Sequence, residues 1–246
     1  MLKRDKRGQV TVFIIVAIVI SVSVGLYFLL NNMNITEKNY PAEIDGLHSS
    51  IESCIKEASE EGILSVSESG GYFDAPKLSI ESVPYYDYQG ENKMPSKETV
   101  ETEVSKFINK YVSSCSNELF NNSDLEITKG EVISSVKILS KEVVIKTNYP
   151  VNINKGKETY KFEKFDEVRI PVRLGTVYDA VSEYITEQVK YPANCITCFL
   201  NISEKYDLYI DMTEWEPNTT MFSFRDESSK LNDRTLYWVF ANKYGA

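Results

Sequence analysis

The feature that most constrains this chain is an uncharged apolar run that extends from Val10 to Leu30. As an α-helix, these 21 residues would extend for about 32 Å, and the hydrocarbon core of a bilayer is about 30 Å thick. A helix also satisfies its own backbone donors and acceptors, which lipid cannot do. The sequence therefore predicts one transmembrane helix over residues 9–30, with residues 10–30 in contact with membrane lipid.

A basic cluster before the run predicts its orientation. Residues 3–7 carry four cations and one anion, and the next charged residues are Glu37 and Lys38. Positively charged flanks stay on the cytoplasmic side of a membrane. Residues 1–8 are therefore expected to form a cytoplasmic leader. The expected location is the cell membrane, with a single span, a cytoplasmic N-terminus and an extracellular C-terminal domain.

The length of the run separates an anchor from a cleaved secretory signal. A secretory signal has an apolar core of about 7–15 residues, followed by small residues at a cleavage site. The run here is longer, and the sequence Asn31-Asn32-Met33-Asn34 that follows it offers no such site. Permanent retention in the membrane is favoured.

The leader also carries a recognisable junction. Lys6-Arg7-Gly8-Gln9 resembles the archaeal class III signal peptide of type IV pilin-like proteins. This resemblance implies that a prepilin-type peptidase cuts after Gly8, that Gln9 begins the mature chain, and that the span packs against other membrane helices. Phe13 stands at the fifth mature position, where pilins usually carry glutamate, and this departure disfavours assembly into a filament.

A second resemblance covers the chain from Cys54 onwards. Here the chain is similar to a group of uncharacterised archaeal membrane-anchored surface proteins, through Gly70-Gly71-Tyr72, Met94-Pro95-Ser96 and Ile170-Pro171-Val172-Arg173-Leu174-Gly175. The group has no assigned activity, so this resemblance implies architecture alone.

Composition predicts an ordinary folded domain outside the membrane. Hydrophobic residues make up 42% of the chain and charged residues 26%, which is typical of globular proteins. Without the leader's four cations and one anion, the chain has 23 Lys and Arg against 35 Asp and Glu, a net charge of −12. Nucleic acid is excluded as a partner, because binding it requires a basic surface.

Hydrophobic periodicity predicts an α+β ectodomain, with about three helices packed on a mainly antiparallel sheet. Residues 31–41 are expected to form a linker, residues 42–120 a helical part, and residues 121–246 a β-rich part. Helices are predicted over residues 42–66, from residue 96, and over 176–189. Strands are predicted over residues 125–128, 132–139, 143–153, 160–172, 208–210, 221–224 and 236–240.

An aromatic stretch in the helical part has two interpretations. Tyr85, Tyr86 and Tyr88 follow Pro84 and precede Gln89-Gly90. Proline in a strand indicates an edge position, so the stretch is expected to be either an edge strand or a recognition loop. In the second case the three tyrosines would form a binding surface for a protein or another surface ligand.

The four cysteines, Cys54, Cys115, Cys195 and Cys198, all lie on the predicted outer side, where disulfides persist. Four cysteines allow three pairings. Pairing of Cys54 with Cys115 is favoured, since both lie on apolar faces of predicted neighbouring helices. Cys195 would then pair with Cys198.

The sequence Cys195-Ile196-Thr197-Cys198 is a C-x-x-C motif, which also occurs in thiol–disulfide oxidoreductases. In those enzymes the motif follows a strand and opens a helix. Here it follows a predicted helix and Tyr191-Pro192, and no helical periodicity is predicted after it. A structural disulfide is therefore favoured over catalysis and over a four-cysteine metal site.

Other catalytic motifs are missing from the sequence. His48 is the only histidine, which excludes histidine-rich metal sites, and the chain has no phosphate-binding glycine loop or G-x-S-x-G motif. No catalytic residue, metal ion or cofactor is predicted. The expected function is a non-catalytic binding or cell-envelope role, and the alternative is an extracytoplasmic thiol–disulfide oxidoreductase.

Overall fold

The computed structural model describes residues 16–24, 40–121 and 123–245. The chain divides between Pro41 and Ala42 into two units, which are described separately. In the first, residues 16–24 lie in a helix, α1, whose valine and isoleucine side chains are exposed. The rest of the predicted span lies outside the described residues, as do Gly8 and Gln9. Within the described parts of the chain, no helix combines the length and the apolar character that a membrane crossing requires.

The second unit is α+β, as predicted. Its described residues form four helices: α2 (Ala42–Glu68), α3 (Lys97–Asn121), α4 (Leu174–Gln188) and α5 (Ile196–Tyr206). They also form eleven strands: β1 (Ser79–Ile80), β2 (Val83–Tyr88), β3 (Glu91–Asn92), β4 (Glu126–Lys129), β5 (Ile133–Ile138), β6 (Val143–Lys155), β7 (Glu158–Lys164), β8 (Val168–Ile170), β9 (Tyr209–Glu216), β10 (Thr219–Leu231) and β11 (Arg234–Lys243).

The first sheet has six strands in the order β1-β2-β11-β10-β9, with β3 also paired to β2. Strands β9, β10 and β11 form the expected antiparallel meander at the end of the chain. Strand β2 joins β11 in parallel, so this sheet is mixed. Two parallel strands need a long connection between them. Here the connection is most of the unit, because β2 ends at Tyr88 and β11 begins at Arg234.

The second sheet is built on the long strand β6. Strands β4 and β5 follow one edge of β6, and the Gly130 N–H donates to the Pro150 carbonyl between them at 2.8 Å. Strands β7 and β8 follow the other edge. The expected single strand over 160–172 is therefore divided, and the unit has two sheets where one was predicted.

Helices α2 and α3 are antiparallel neighbours. Helix α2 packs against α3, β11 and β8, and α3 packs against β5. The predicted apolar stripes are buried, with Ile51 and Ile55 on α2 and Val104 and Ile108 on α3 each at most 1% exposed. Helix α2 therefore contacts both sheets.

An aromatic core joins α4 to the first sheet. Tyr184 of α4 lies 5.2 Å from Phe222 and 6.1 Å from Phe240 between ring centroids, and both phenylalanines are buried. Aromatic pairs at such distances contribute about 0.5–1.5 kcal/mol beyond the area they bury. This packing fixes the C-terminal end of α4, from which the loop to α5 begins.

Candidate functional site

The segment 191–215 carries an unusual share of the exposed apolar side chains. Over residues 40–121 and 123–245, eight large apolar side chains are exposed, and six of them fall in this segment. They are 43–57% exposed, and they are Tyr191, Ile196, Leu200, Tyr209, Met212 and Trp215. The six are grouped in sequence, and exposed apolar side chains concentrated in one segment indicate an interaction site more strongly than side chains scattered along the chain. We refer to these six residues as the exposed apolar group.

Three of these residues lie at or near the C-x-x-C motif, whose surroundings differ from the prediction. The motif opens helix α5: Cys195 is the N-cap, and the Cys198 N–H donates to the Cys195 carbonyl at 3.1 Å. The expectation that no helix follows the motif was wrong. A three/four spacing is present once the cysteines are counted as apolar, at Cys195, Cys198, Phe199 and Ile202. This spacing would have predicted the helix.

Both predicted disulfides are present and account for all four cysteines. Cys54–Cys115 joins α2 to α3, whereas Cys195–Cys198 closes the first turn of α5. Cys195 is 7% exposed, and Cys198 is half-buried. The first turn of a helix stabilises negative charge, and the Thr197 hydroxyl lies 3.6 Å from Cys195 Sγ. Reduction of this bond would therefore place a thiolate where its charge is stabilised.

A buried polar network links the motif to the sheet. The Cys195 N–H donates to Gln188 Oε1 at 2.9 Å, and the Tyr184 hydroxyl donates to the same oxygen at 3.1 Å. Gln188 Nε2 donates to the Ala193 carbonyl at 2.9 Å. Burial raises the pKa of Tyr184, so this hydroxyl keeps its proton. Gln188 thus holds the loop before Cys195 against α4.

The network continues to the end of the chain. Tyr244 donates to Asn194 Oδ1, and Asn194 Nδ2 donates to Thr220 at 3.1 Å. Burial raises the pKa of Tyr244 to about 12, with Asn242 lowering it in part and Asp87 raising it. The segment after β11 is thereby fixed to the loop that precedes the disulfide.

Asp87 is the incompletely satisfied member of this region. Its Oδ1 accepts the Gly90 N–H at 2.9 Å, but its Oδ2 is buried and has no hydrogen-bond partner among the described residues. Burial raises the pKa of Asp87, while the Gly90 N–H and the nearby Gln188 side chain lower it in part. The protonated form of this carboxyl is therefore favoured relative to an exposed aspartate.

Two clefts open on either side of Tyr244. One, of about 320 Å³, lies between Asn194 and the β9 residues Met212 and Glu214. The other, of about 280 Å³, lies above Asp87 and beside Tyr191. Both are near the lower limit of ligand pockets, about 300 Å³. Because Asp87 has no exposed surface, it lies beneath the cleft floor and is not available to a ligand.

The predicted tyrosine surface is not formed as expected. Tyr86 is fully buried and Tyr85 is 9% exposed, while Tyr88 is half-buried. The reason is that β2 pairs with β11 on one edge and with β1 and β3 on the other, so it is not an edge strand. The Tyr86 hydroxyl donates to the Gly70 carbonyl at 2.8 Å and accepts from Trp238 Nε1 at 3.1 Å. Tyr86 is a core residue.

Metal binding has no support from side-chain geometry. Among the residues that the structure describes, no group of three His, Cys, Asp or Glu side chains is arranged to hold a metal ion. The disulfides also leave no thiolate for a four-cysteine site.

Comparisons with family models, with curated proteins and with solved structures returned no match to this chain.

Proposed function

We propose that this chain is a single-pass membrane-anchored extracytoplasmic protein that binds a partner through the exposed apolar group. The uncharged run over residues 10–30 and the basic leader before it support the anchor and its orientation. The two disulfides are compatible with an oxidising compartment outside the cytoplasm. The proposed role is non-catalytic binding at the cell surface or within the cell envelope.

One observation carries the binding part of this proposal. The exposed apolar group lies within 25 consecutive residues, from Tyr191 to Trp215, although the described part of the unit extends over residues 42–121 and 123–245. Large apolar side chains that are concentrated in one exposed segment indicate a surface that a partner covers, because covering them removes apolar area from water. A protein or another apolar surface would do so.

Membrane fractionation tests the anchor. The full chain should remain in the membrane pellet after alkaline carbonate extraction, and a variant that lacks residues 10–30 should move to the soluble fraction. Retention of that variant in the pellet would contradict the proposed anchor.

Site-directed cross-linking tests the binding surface. A photoreactive amino acid in place of Leu200 should form a discrete adduct in native membranes. The matched control is the same substitution at Ile133, which is similarly exposed at 58% against 55% for Leu200 but lies on β5. Equal labelling from both positions, or none from Leu200, would contradict a partner at the exposed apolar group.

The leader extends the proposal to a pilin-related protein cleaved by a prepilin-type peptidase. Mapping the N-terminus of protein taken from native membranes tests this. A start at Gln9 would support processing after Gly8, whereas a start at Met1 would indicate a plain signal anchor.

A second candidate function is thiol–disulfide exchange, because the C-x-x-C motif opens α5. A substrate thiolate would attack the more exposed Cys198 Sγ, the Cys195–Cys198 bond would break, and Cys195 would leave as a thiolate. A second substrate thiolate would then attack the substrate sulfur of the mixed disulfide. The substrate dithiol would be oxidised to a disulfide, and the two protein sulfurs would be left reduced.

Single-turnover oxidation of a reduced dithiol peptide by the full chain tests this candidate. The expected yield is one peptide disulfide per protein, and none for Cys195→Ser. The double variant Cys195→Ser/Cys198→Ser keeps Cys54–Cys115 and controls for that bond. If the wild-type chain oxidises no more peptide than these variants, the oxidoreductase function is excluded.

A further inference from the structure

Strand β9 has one edge that is not paired within the described residues. The first sheet ends at β9, which pairs with β10 in continuous register from Tyr209 to Glu214. Seven of the eight β9 residues are exposed. Unpaired N–H and C=O groups along an edge strand are a template for another strand. Edge strands usually carry lysine, proline or a bulge that prevents such pairing. Strand β9 contains no lysine or proline, and its register shift against β10 lies near its end, between Glu214 and Glu216, which leaves residues 209–214 regular.

The two faces of β9 differ in their surroundings. Residues paired directly across strands share a face, so Met212 lies on the same face as its partner Phe222, which is buried. Glu214 shares that face, because side chains alternate along a strand. Tyr209 and Asp211 lie on the opposite face. Over residues 209–214, each face of β9 therefore presents one exposed carboxylate and one exposed large apolar side chain.

The charge on β9 indicates what kind of strand would pair with it. Its charged residues are Asp211, Glu214 and Glu216, and only Glu216 forms an ion pair among the described residues, with Lys243 at 2.7 Å. A second copy of β9 would bring six carboxylates into one short ribbon, and like charges across strands are destabilising. A strand that carries cations would neutralise Asp211 and Glu214.

We infer that β9 is a strand-addition site for an extended segment of a partner polypeptide that carries lysine or arginine. Main-chain hydrogen bonds to the free edge provide affinity, and side chains on alternate positions provide selectivity. Asp211 and Glu214 are three positions apart, so the matching cations are three positions apart on the added strand. This inference rests on the proposed binding function and identifies the class of its partner.

A synthetic peptide tests the inference. Acetylated and amidated Val-Thr-Lys-Val-Val-Lys-Thr-Val reads the same in both directions, so its lysines match the spacing in either strand orientation. With the full chain in detergent micelles, this peptide should bind and slow amide hydrogen exchange within residues 209–216. A peptide with glutamate in place of lysine, and one N-methylated at alternate residues, should bind at least tenfold more weakly.

Charge reversal on the protein provides the matched comparison. Asp211→Lys/Glu214→Lys should weaken binding of the lysine peptide at least tenfold. Glu118→Lys/Glu163→Lys makes the same change in charge at exposed positions on α3 and β7 and should leave binding unchanged. Equal weakening by both double variants would show attraction to overall charge and would overturn the inference.

Three further outcomes would overturn it. These are equal binding of the glutamate peptide, equal binding of the N-methylated peptide, and a dimer in which β9 amides are protected without peptide, since a second copy would then occupy the edge. Cross-linking from Leu200 separates this inference from the proposed function. A Leu200 adduct without peptide binding would reject strand addition and leave the binding function standing. Absence of both the adduct and peptide binding would reject strand addition and the binding function together.

Discussion

Asp87 and Asp226 are both fully buried carboxyl groups, but their surroundings differ. Asp226 pairs with Arg173 at 3.0 Å and accepts the Ser229 hydroxyl at 2.6 Å. Asp87 has no ion pair among the described residues, and its Oδ2 has no hydrogen-bond partner. A buried polar atom without a partner costs about 1–3 kcal/mol. Asp87 is therefore a residue at which the fold gives up stability, and Arg225 Nε is a second buried side-chain atom without a partner among the described residues.

Replacing Asp87 by asparagine tests this cost through its dependence on pH. The pKa of Asp87 is raised in the folded chain, so folding binds a proton, and the stability of the wild-type chain falls as pH rises above 3.8 until the raised pKa is passed. Asp87→Asn has no ionisable group at this position, so its stability does not fall with pH for this reason. Its melting temperature should exceed that of the wild type at pH 7, and the difference should shrink towards pH 3.8.

The exposed substitution Asp211→Asn is the control for this experiment, because it removes the same charge outside the core. It should give no comparable gain. A melting temperature for Asp87→Asn below that of the wild type at pH 7 would contradict the role assigned to Asp87.

Two glycines in helices make a second comparison at single residues. A Cβ on Gly175, in the first turn of α4, would lie 2.4 Å from the Leu139 carbonyl oxygen, whereas a Cβ on Gly46 in α2 would meet nothing within 4 Å. Gly175→Ala should lower the free energy of unfolding by about 1–3 kcal/mol, as overpacking does. Gly46→Ala should raise it by about 0.5–1 kcal/mol, because alanine favours helix. Denaturant unfolding measures both, and equal effects would contradict this packing.

At the level of elements, periodicity predicted what depends on local sequence. The three/four spacing of apolar residues gave α2, α3 and α4, and the pairing of Cys54 with Cys115 followed from the faces of two predicted helices. The parallel pair of β2 with β11 could not be predicted, because its partners, such as Asp87 and Asn242, are 155 residues apart in sequence. The same non-local pairing buries Tyr86, and for this reason the predicted tyrosine binding surface was wrong.

The two disulfides should contribute unequally to stability. Cys54–Cys115 closes a loop with a sequence separation of 61, and Cys195–Cys198 one of 3. In the unfolded-chain model the first bond is worth about 4 kcal/mol and the second about 2 kcal/mol. Cys54→Ala/Cys115→Ala should therefore lower the denaturant midpoint more than Cys195→Ala/Cys198→Ala does. The reverse order would indicate that the bond in α5 is the main structural one.

For the whole molecule, the sequence predicted the class of fold more fully than the candidate site. The cysteines of the C-x-x-C motif were identified, but the helix that they open and the exposed edge of β9 were not. Strand β9 was foreseen only as residues 208–210, since Asp211, Glu214 and Glu216 interrupt its apolar pattern. Two of these carboxylates, Asp211 and Glu214, also define the proposed strand-addition site. The charges that hid the strand in the sequence are therefore the ones from which its role is inferred.

Limited trypsin digestion of intact cells that carry the full chain tests whether the folded unit lies outside the cell on a membrane anchor. If it does, peptides from residues 40–245 should be released, including the pair joined by Cys54–Cys115, while residues 1–30 should stay with the cells. Release of these peptides only after the cells are lysed, with the four cysteines recovered as thiols, would contradict a folded unit outside the cell.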